Sequence, residues 1–138
     1  MSHSSNNLQH GFMRSVMRMW MIDPVLLCRK HLLGEHGEIH KHRHNFEKKH
    51  SIKNRILKGQ IEPLSMKTRH DELAEEMLKR GFRHDSEYSM PDISYLDDFE
   101  RNFKVNKKQS IEDLHERCSD CRNIAREALK RKKLITEI

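Results

Sequence analysis

The chain has 138 residues, of which 35% are apolar and another 35% charged, so it can bury one small core beneath a heavily charged surface. Its 27 Lys and Arg against 21 Asp and Glu give a formal charge of +6, a balance that suits a polyanion such as nucleic acid. Three cysteines do not make a disulfide framework, and no run approaches the roughly 18 apolar residues of a membrane span; the expectation is a reduced cytoplasmic protein with no membrane partner.

Residues 1–16 are polar, without an apolar signal region or a hydrophobic period, and are expected to be a disordered extension or upstream sequence not always translated. Residues 17–138 are expected to form the domain. Met17-Arg18-Met19-Trp20-Met21-Ile22 reads as an extended lead-in packed on the core. Asp23-Pro24 is a helix start, because Asp accepts from free first-turn amides and Pro fits the first helical position. The helix is expected to run to about His44. Along it His31, Glu35, Glu38 and His42 step by four, three and four, which puts them in one polar column. Gly34 and Gly37 each cost about 1 kcal/mol relative to alanine in a helix, so something is expected to approach them closely or to use the neighbouring side chains.

From His40 to Lys58 the chain turns basic. Lys41, Arg43, Lys48, Lys49, Lys53 and Arg55 are opposed by Glu47 alone and read as candidate phosphate contacts, with a short helix ending at Gly59. Pro63-Leu64-Ser65 opens a second helix with Met66, His70, Leu73 and Met77 on its apolar stripe and Ala74 and Leu78 widening it. Lys79-Arg80-Gly81 is its stop. In this stripe His70 reads as a hydrogen-bonded core histidine. Residues 92–103 hold a possible short acidic helix with Ile93, Leu96, Phe99 and Phe103 on one face. Ser110-Ile111-Glu112-Asp113 is expected to cap a third helix, in which Ile111, Leu114, Cys118, Cys121, Ala125 and Ala128 alternate by three and four. The fold class is therefore all-α: a compact single domain of about three main helices plus short helical pieces.

Two chemistries compete on these elements. Cys28-x-x-His31 and Cys118-x-x-Cys121 have zinc-ligand spacing, but Cys118 and Cys121 fall on the apolar stripe, and buried cysteine packs as a small hydrophobe; core packing is the favoured reading, with no metal and no cofactor. His36 and His40, four apart with Glu35 alongside, permit a metal-dependent nuclease as an alternative. No phosphate-cradling glycine loop or nucleophile elbow is present. An enzyme built on this chain would be left with an amine nucleophile, a lysine or a chain terminus; an α-amino group has a pKa of about 7.7–8.0 and is partly unprotonated at neutral pH.

Two blocks resemble the phage pyrimidine-dimer DNA glycosylases with abasic-site lyase activity, the endonuclease V type. His31-Leu32-Leu33-Gly34-Glu35-His36-Gly37-Glu38-Ile39 is similar to the family's H-L-x-x-E-x-x-E-L helix. The run from Arg69 to Phe82 is similar to the helix that ends L-K-R-G-F. Met17-Arg18-Met19-Trp20 looks like the start of the short phage variants. The resemblance implies a small all-helical domain, an N-terminal amine that attacks C1′, an essential glutamate in the first long helix, and β-elimination without a metal. It assigns the amine to Met17 and the glutamate to Glu38, with Arg18, His31 and Glu35 as supports. The implied partner is double-stranded DNA, damaged or abasic, bound by a monomer in the cytoplasm, the host's if the chain is phage-encoded. The chain departs from the family where Gly37 and Lys41 replace arginines, and where Lys130-Arg131-Lys132-Lys133-Leu134 replaces an aromatic tail. A non-catalytic DNA-binding relative of the same fold is the other alternative.

Overall fold

The computed structural model describes residues 18–84 and 87–137, the last five as backbone alone. Among them lie α1 (Arg29–Glu47), α2 (Lys53–Leu57), α3 (Met66–Lys79), α4 (Asp98–Asn102), α5 (Lys107–Arg117) and α6 (Ser119–Glu137), with 3-10 turns at Pro24–Leu26 and Pro63–Ser65. No strand occurs among the described residues, as the all-α expectation required. The expected extension, residues 1–16, lies outside them, as does Met17.

The long helix α1 is the centre. Its main partner is α3, and α6 reaches the 3-10 turn that precedes α1. Leu32, Ile39 and Phe46 from α1 meet Met66, Leu73 and Met77 from α3 in one core with Trp20, Ile56 and Leu114. The described part of the lead-in, residues 18–22, forms no helix and packs on the core as expected, all of it buried but the half-buried Met21. Met19 N–H donates to Gln60 O at 2.8 Å, the Glu62 amide meets Met19 Sδ at 3.3 Å, and Ser110 Oγ donates to Trp20 O at 2.6 Å. The segment is thus held between the 60–62 loop and α5.

Several boundaries differ from the sequence reading, each for a local reason. Asp23 does cap a turn, accepting from Val25 N–H at 3.1 Å, but the turn is 3-10 and stops at Leu27, whose backbone is extended. The α-helix starts afresh after Cys28 and runs on to Glu47. Ser110 is not a cap. It lies inside α5, which Asn106 caps by accepting from Gln109 N–H at 3.0 Å, and its hydroxyl serves the Trp20 carbonyl instead. The expected third helix is two helices, because Cys118 adopts extended dihedrals (φ −132, ψ 107) between α5 and α6. Leu78 and Phe99, both expected on buried faces, are exposed. The stop of α3 is as read: Gly81 (φ +85) takes the left-handed conformation that glycine adopts without strain, and Phe82 N–H closes back onto Met77 O at 2.9 Å.

Candidate functional site

The polar column of α1 points inward. Glu35, Glu38 and His42 are buried together with Leu32, Ile39 and Phe46. Buried charge is tolerated only when it is paired and hydrogen-bonded, and each carboxylate has such a partner. Glu35 receives both arms of Arg69 from α3, Nε at 2.6 Å and Nη2 at 2.9 Å, and the amides of Trp20 and Met21 bond to it as well. Met21 sits at φ +58, a left-handed conformation rare outside glycine, and its bond to Glu35 helps hold it there. Burial raises the Glu35 carboxyl above its ordinary value, against the opposing pull of Arg69 and the two amides. Glu35 therefore fastens the lead-in to the α1–α3 pair. It does not share a cluster with His36 and His40, as the metal-nuclease alternative required.

Glu38 is one turn on. Its Oε2 lies 3.2 Å from Arg55 Nη1 and 3.4 Å from His42 Nε2. Burial raises its pKa, against the opposing pull of Arg55 and Lys41. His42 is fully buried, and neither ring nitrogen has an aligned hydrogen-bond partner; burial, then Arg55 and Lys41, lower it to about 3. Beside Glu38, a Cβ added at Gly37 would meet nothing within 4 Å. The close neighbour expected at Gly37 is therefore not part of the fold: the helix surface there is open.

The remaining sequence candidates divide. Arg18 pairs with Asp113 on α5 at 3.0 Å and lies over the Trp20 ring, 4.0 Å from its centroid. Arg43 donates to Ser89 O and to Glu47, both at 2.7 Å, and Arg55 is held by Glu38, so two of the six basic candidates face partners within the fold. Lys41, Lys48, Lys49 and Lys53 are exposed. Lys41 borders an open depression of about 420 Å³, lined also by His40, His44 and Asn45.

His31 lies elsewhere. Its Nδ1 is 3.2 Å from Cys28 Sγ and 3.7 Å from Cys121 Sγ, and the Cys28 and Cys118 sulfurs are 3.8 Å apart. Core packing does account for Cys28 and Cys121, both buried, but not for this convergence of four donor atoms within 4.8 Å of one another. A second convergence joins His36 and His40 of α1, His70 of α3 and His84, again within 4.8 Å. His84 Nε2 is 3.0 Å from His36 Nε2 and 3.4 Å from His70 Nε2. Sequence reading gave no such role to Arg69, Asp113 or His84; only the packing of α3 and the loop after it on α1, and of α5 on the lead-in, brings them to Glu35, His36 and Arg18.

The helices packed around α1 thus present paired buried carboxylates beside an open basic flank. The family model described as pyrimidine dimer DNA glycosylase matches residues 17–90. The chain belongs to this family. No curated protein and no solved structure showed a significant match. The matched region holds Glu35, Glu38, the whole histidine cluster and the basic segment, and it stops before α4, α5 and α6. No helix among the described residues is long and apolar enough to cross a membrane.

Proposed function

We propose that the chain is a DNA repair glycosylase with abasic-site lyase activity on damaged duplex DNA, pyrimidine dimers being the first substrate to test. The amine of Met17, when Met17 is the chain terminus, attacks C1′ of the damaged nucleotide. The base departs, a Schiff base forms, and β-elimination breaks the strand on its 3′ side. Glu38 stabilises the positive charge that develops on the sugar and carries protons through the sequence. Arg18 and Glu35 position the lead-in that carries the amine. Lys41, Lys48, Lys49 and Lys53 hold phosphates while the nucleotide leaves the stack.

Glu38 is the observation that carries this reading. It is the carboxylate at the position the family resemblance makes essential, burial raises its pKa, and it stands beside the open surface at Gly37. The family match opens at Met17, which agrees with an amine at that position. Arg18, whose bulk hinders removal of the preceding methionine, would leave the methionine's own amine as the nucleophile.

Borohydride trapping on abasic and on ultraviolet-irradiated duplex DNA tests the proposal. Three proteins are compared: the 138-residue chain, a chain starting at Met17, and that chain with Glu38→Gln. The expected result is a covalent adduct from the Met17-initiated chain and none from the longer one. Glu38→Gln is expected to slow strand cleavage by about 10²–10⁴-fold, the usual weight of a proton-transfer group. Adducts from both lengths would move the nucleophile to Met1 or a lysine. Absence of adduct from all three, with DNA binding retained, would leave a non-catalytic DNA-binding relative.

A further inference from the structure

We propose that Cys28, His31, Cys118 and Cys121 form a zinc site that clamps the start of α1 to the junction of α5 and α6. Three thiols and an imidazole are a donor set typical of structural zinc, and four protein ligands close the coordination sphere. With Zn–S arms of about 2.3 Å, a tetrahedron has edges of about 3.8 Å, slightly shorter where nitrogen replaces sulfur. The observed separations are 3.8 Å between the Cys28 and Cys118 sulfurs, and 3.2 and 3.7 Å from His31 Nδ1 to the Cys28 and Cys121 sulfurs. A disulfide needs sulfurs about 2.05 Å apart and would leave the third thiol and the imidazole unexplained.

The same local geometry occurs twice. Cys28 and Cys118 are each the extended residue before a helix, and each carbonyl accepts the first helical bond, from Leu32 N–H at 2.9 Å and Arg122 N–H at 3.1 Å. His31 and Cys121 each follow three residues later, so both helices offer a ligand at the cap and one in the first turn. The amides do the same work from both sides: Cys28 N–H points at Cys121 Sγ at 3.2 Å and Cys121 N–H at Cys118 Sγ at 3.4 Å. Amides and helix N-termini aimed at sulfur favour the thiolates that zinc requires. The site also explains why the periodic stripe breaks at Cys118. It ties the family-matched residues 17–90 to the C-terminal helices beyond them.

The test is metal analysis of the purified full chain grown with added zinc. About one zinc per chain should be released by an organomercurial thiol reagent, and cobalt in its place should give a thiolate charge-transfer band with tetrahedral visible absorption. His31→Cys should keep the metal and shift the cobalt spectrum to that of four thiolates, whereas Cys118→Ser should reduce the thiolate band to that of two thiolates or weaken metal retention at least about tenfold. Less than about a tenth of an equivalent of mercurial-releasable zinc, together with cobalt uptake lacking the thiolate band, would overturn the proposal. None of these readouts depends on DNA cleavage.

Independent observations carry a second cation site at His36, His40, His70 and His84. Four nitrogen ligands with arms of about 2.0–2.1 Å span edges of about 3.4 Å. His84 Nε2 is 3.0 and 3.4 Å from the Nε2 atoms of His36 and His70. His40 Nε2 is buried without any hydrogen-bond partner. His70 Nδ1 donates to Asp71 Oδ1 at 2.9 Å, which turns the Nε2 lone pair toward the cluster, as carboxylates behind metal-bound histidines do. The geometry points to a divalent cation of the zinc class, held in a closed, structural site. A second equivalent of metal that resists the mercurial but leaves on acidification is expected. His84→Asn, in the loop after α3, should remove that equivalent and leave the cobalt–thiolate band intact. A wild-type chain whose whole metal content leaves with the mercurial would overturn this second assignment.

Discussion

At the scale of single residues, Glu35 and Arg69 form a pair whose value shows when it is broken. Removing one partner of a buried ion pair leaves an uncompensated charge and costs about 3–5 kcal/mol. Glu35→Ala and Arg69→Ala are each expected to lose stability on that scale in urea or thermal unfolding, and an apolar double replacement of matching volume should lose much less. Arg55 acts on Glu38 in a different way. Its guanidinium opposes the effect of burial on the Glu38 carboxyl. Arg55→Met is therefore expected to raise the Glu38 pKa further and to move the acidic limb of the lyase pH–rate profile to higher pH; an unmoved limb would detach Glu38 from the chemistry. Glu35 and Glu38 were both legible in the sequence as members of one column. Their partners were not, because Arg69 and Arg55 lie on other helices.

At the scale of elements, α1 carries a glycine whose cost is visible. A Cβ at Gly37 meets open space, so Gly37→Ala is expected to stabilise the protein by about 1 kcal/mol, measured as a rise in the unfolding midpoint. If duplex DNA lies against that turn, the same change should weaken binding to abasic duplex, and unchanged affinity would put the contact surface elsewhere. The α5–α6 junction teaches the opposite lesson. The stripe from Ile111 to Ala128 has a helical period throughout, yet the chain breaks at Cys118 because that residue caps a new helix. Periodicity records which side chains face inward. It does not record a single extended residue between two helices that keep the same inward face.

At the scale of the whole molecule, burial of the neutral His42 contributes to the response to pH. His42 is lowered to about 3 by burial and nearby cations, so the unfolded chain binds its proton far more readily than the folded one. That contribution to stability is full above the unfolded value of about 6.5 and is lost progressively as the pH falls through the window down to about 3. His31, His36 and His40 are lowered in the same direction, chiefly by burial, and add to the slope, while Glu35 and Glu38, both raised by burial, oppose it. The unfolding temperature is expected to fall steadily as the pH drops below about 6.5, and His42→Leu should flatten the profile. A flat wild-type profile would mean that His42 is not buried neutral.

The all-α class, the lead-in, the two principal helices and the column that carries Glu35 and Glu38 could be read from the chain alone. They depend on local rules: caps, stops and the 3.6-residue period act over a few positions that the sequence lists side by side. The family resemblance rested on the same contiguous blocks. Which way the column faces, which arginines satisfy it, and which of the basic residues remain open to solvent were decided by the packing of α2 and α3 on α1. The two donor clusters belong to that level as well. Cys28 and Cys121 are 93 positions apart and His36 and His84 are 48 apart, and a ligand set distributed over such distances exists only once the helices that carry its parts have met.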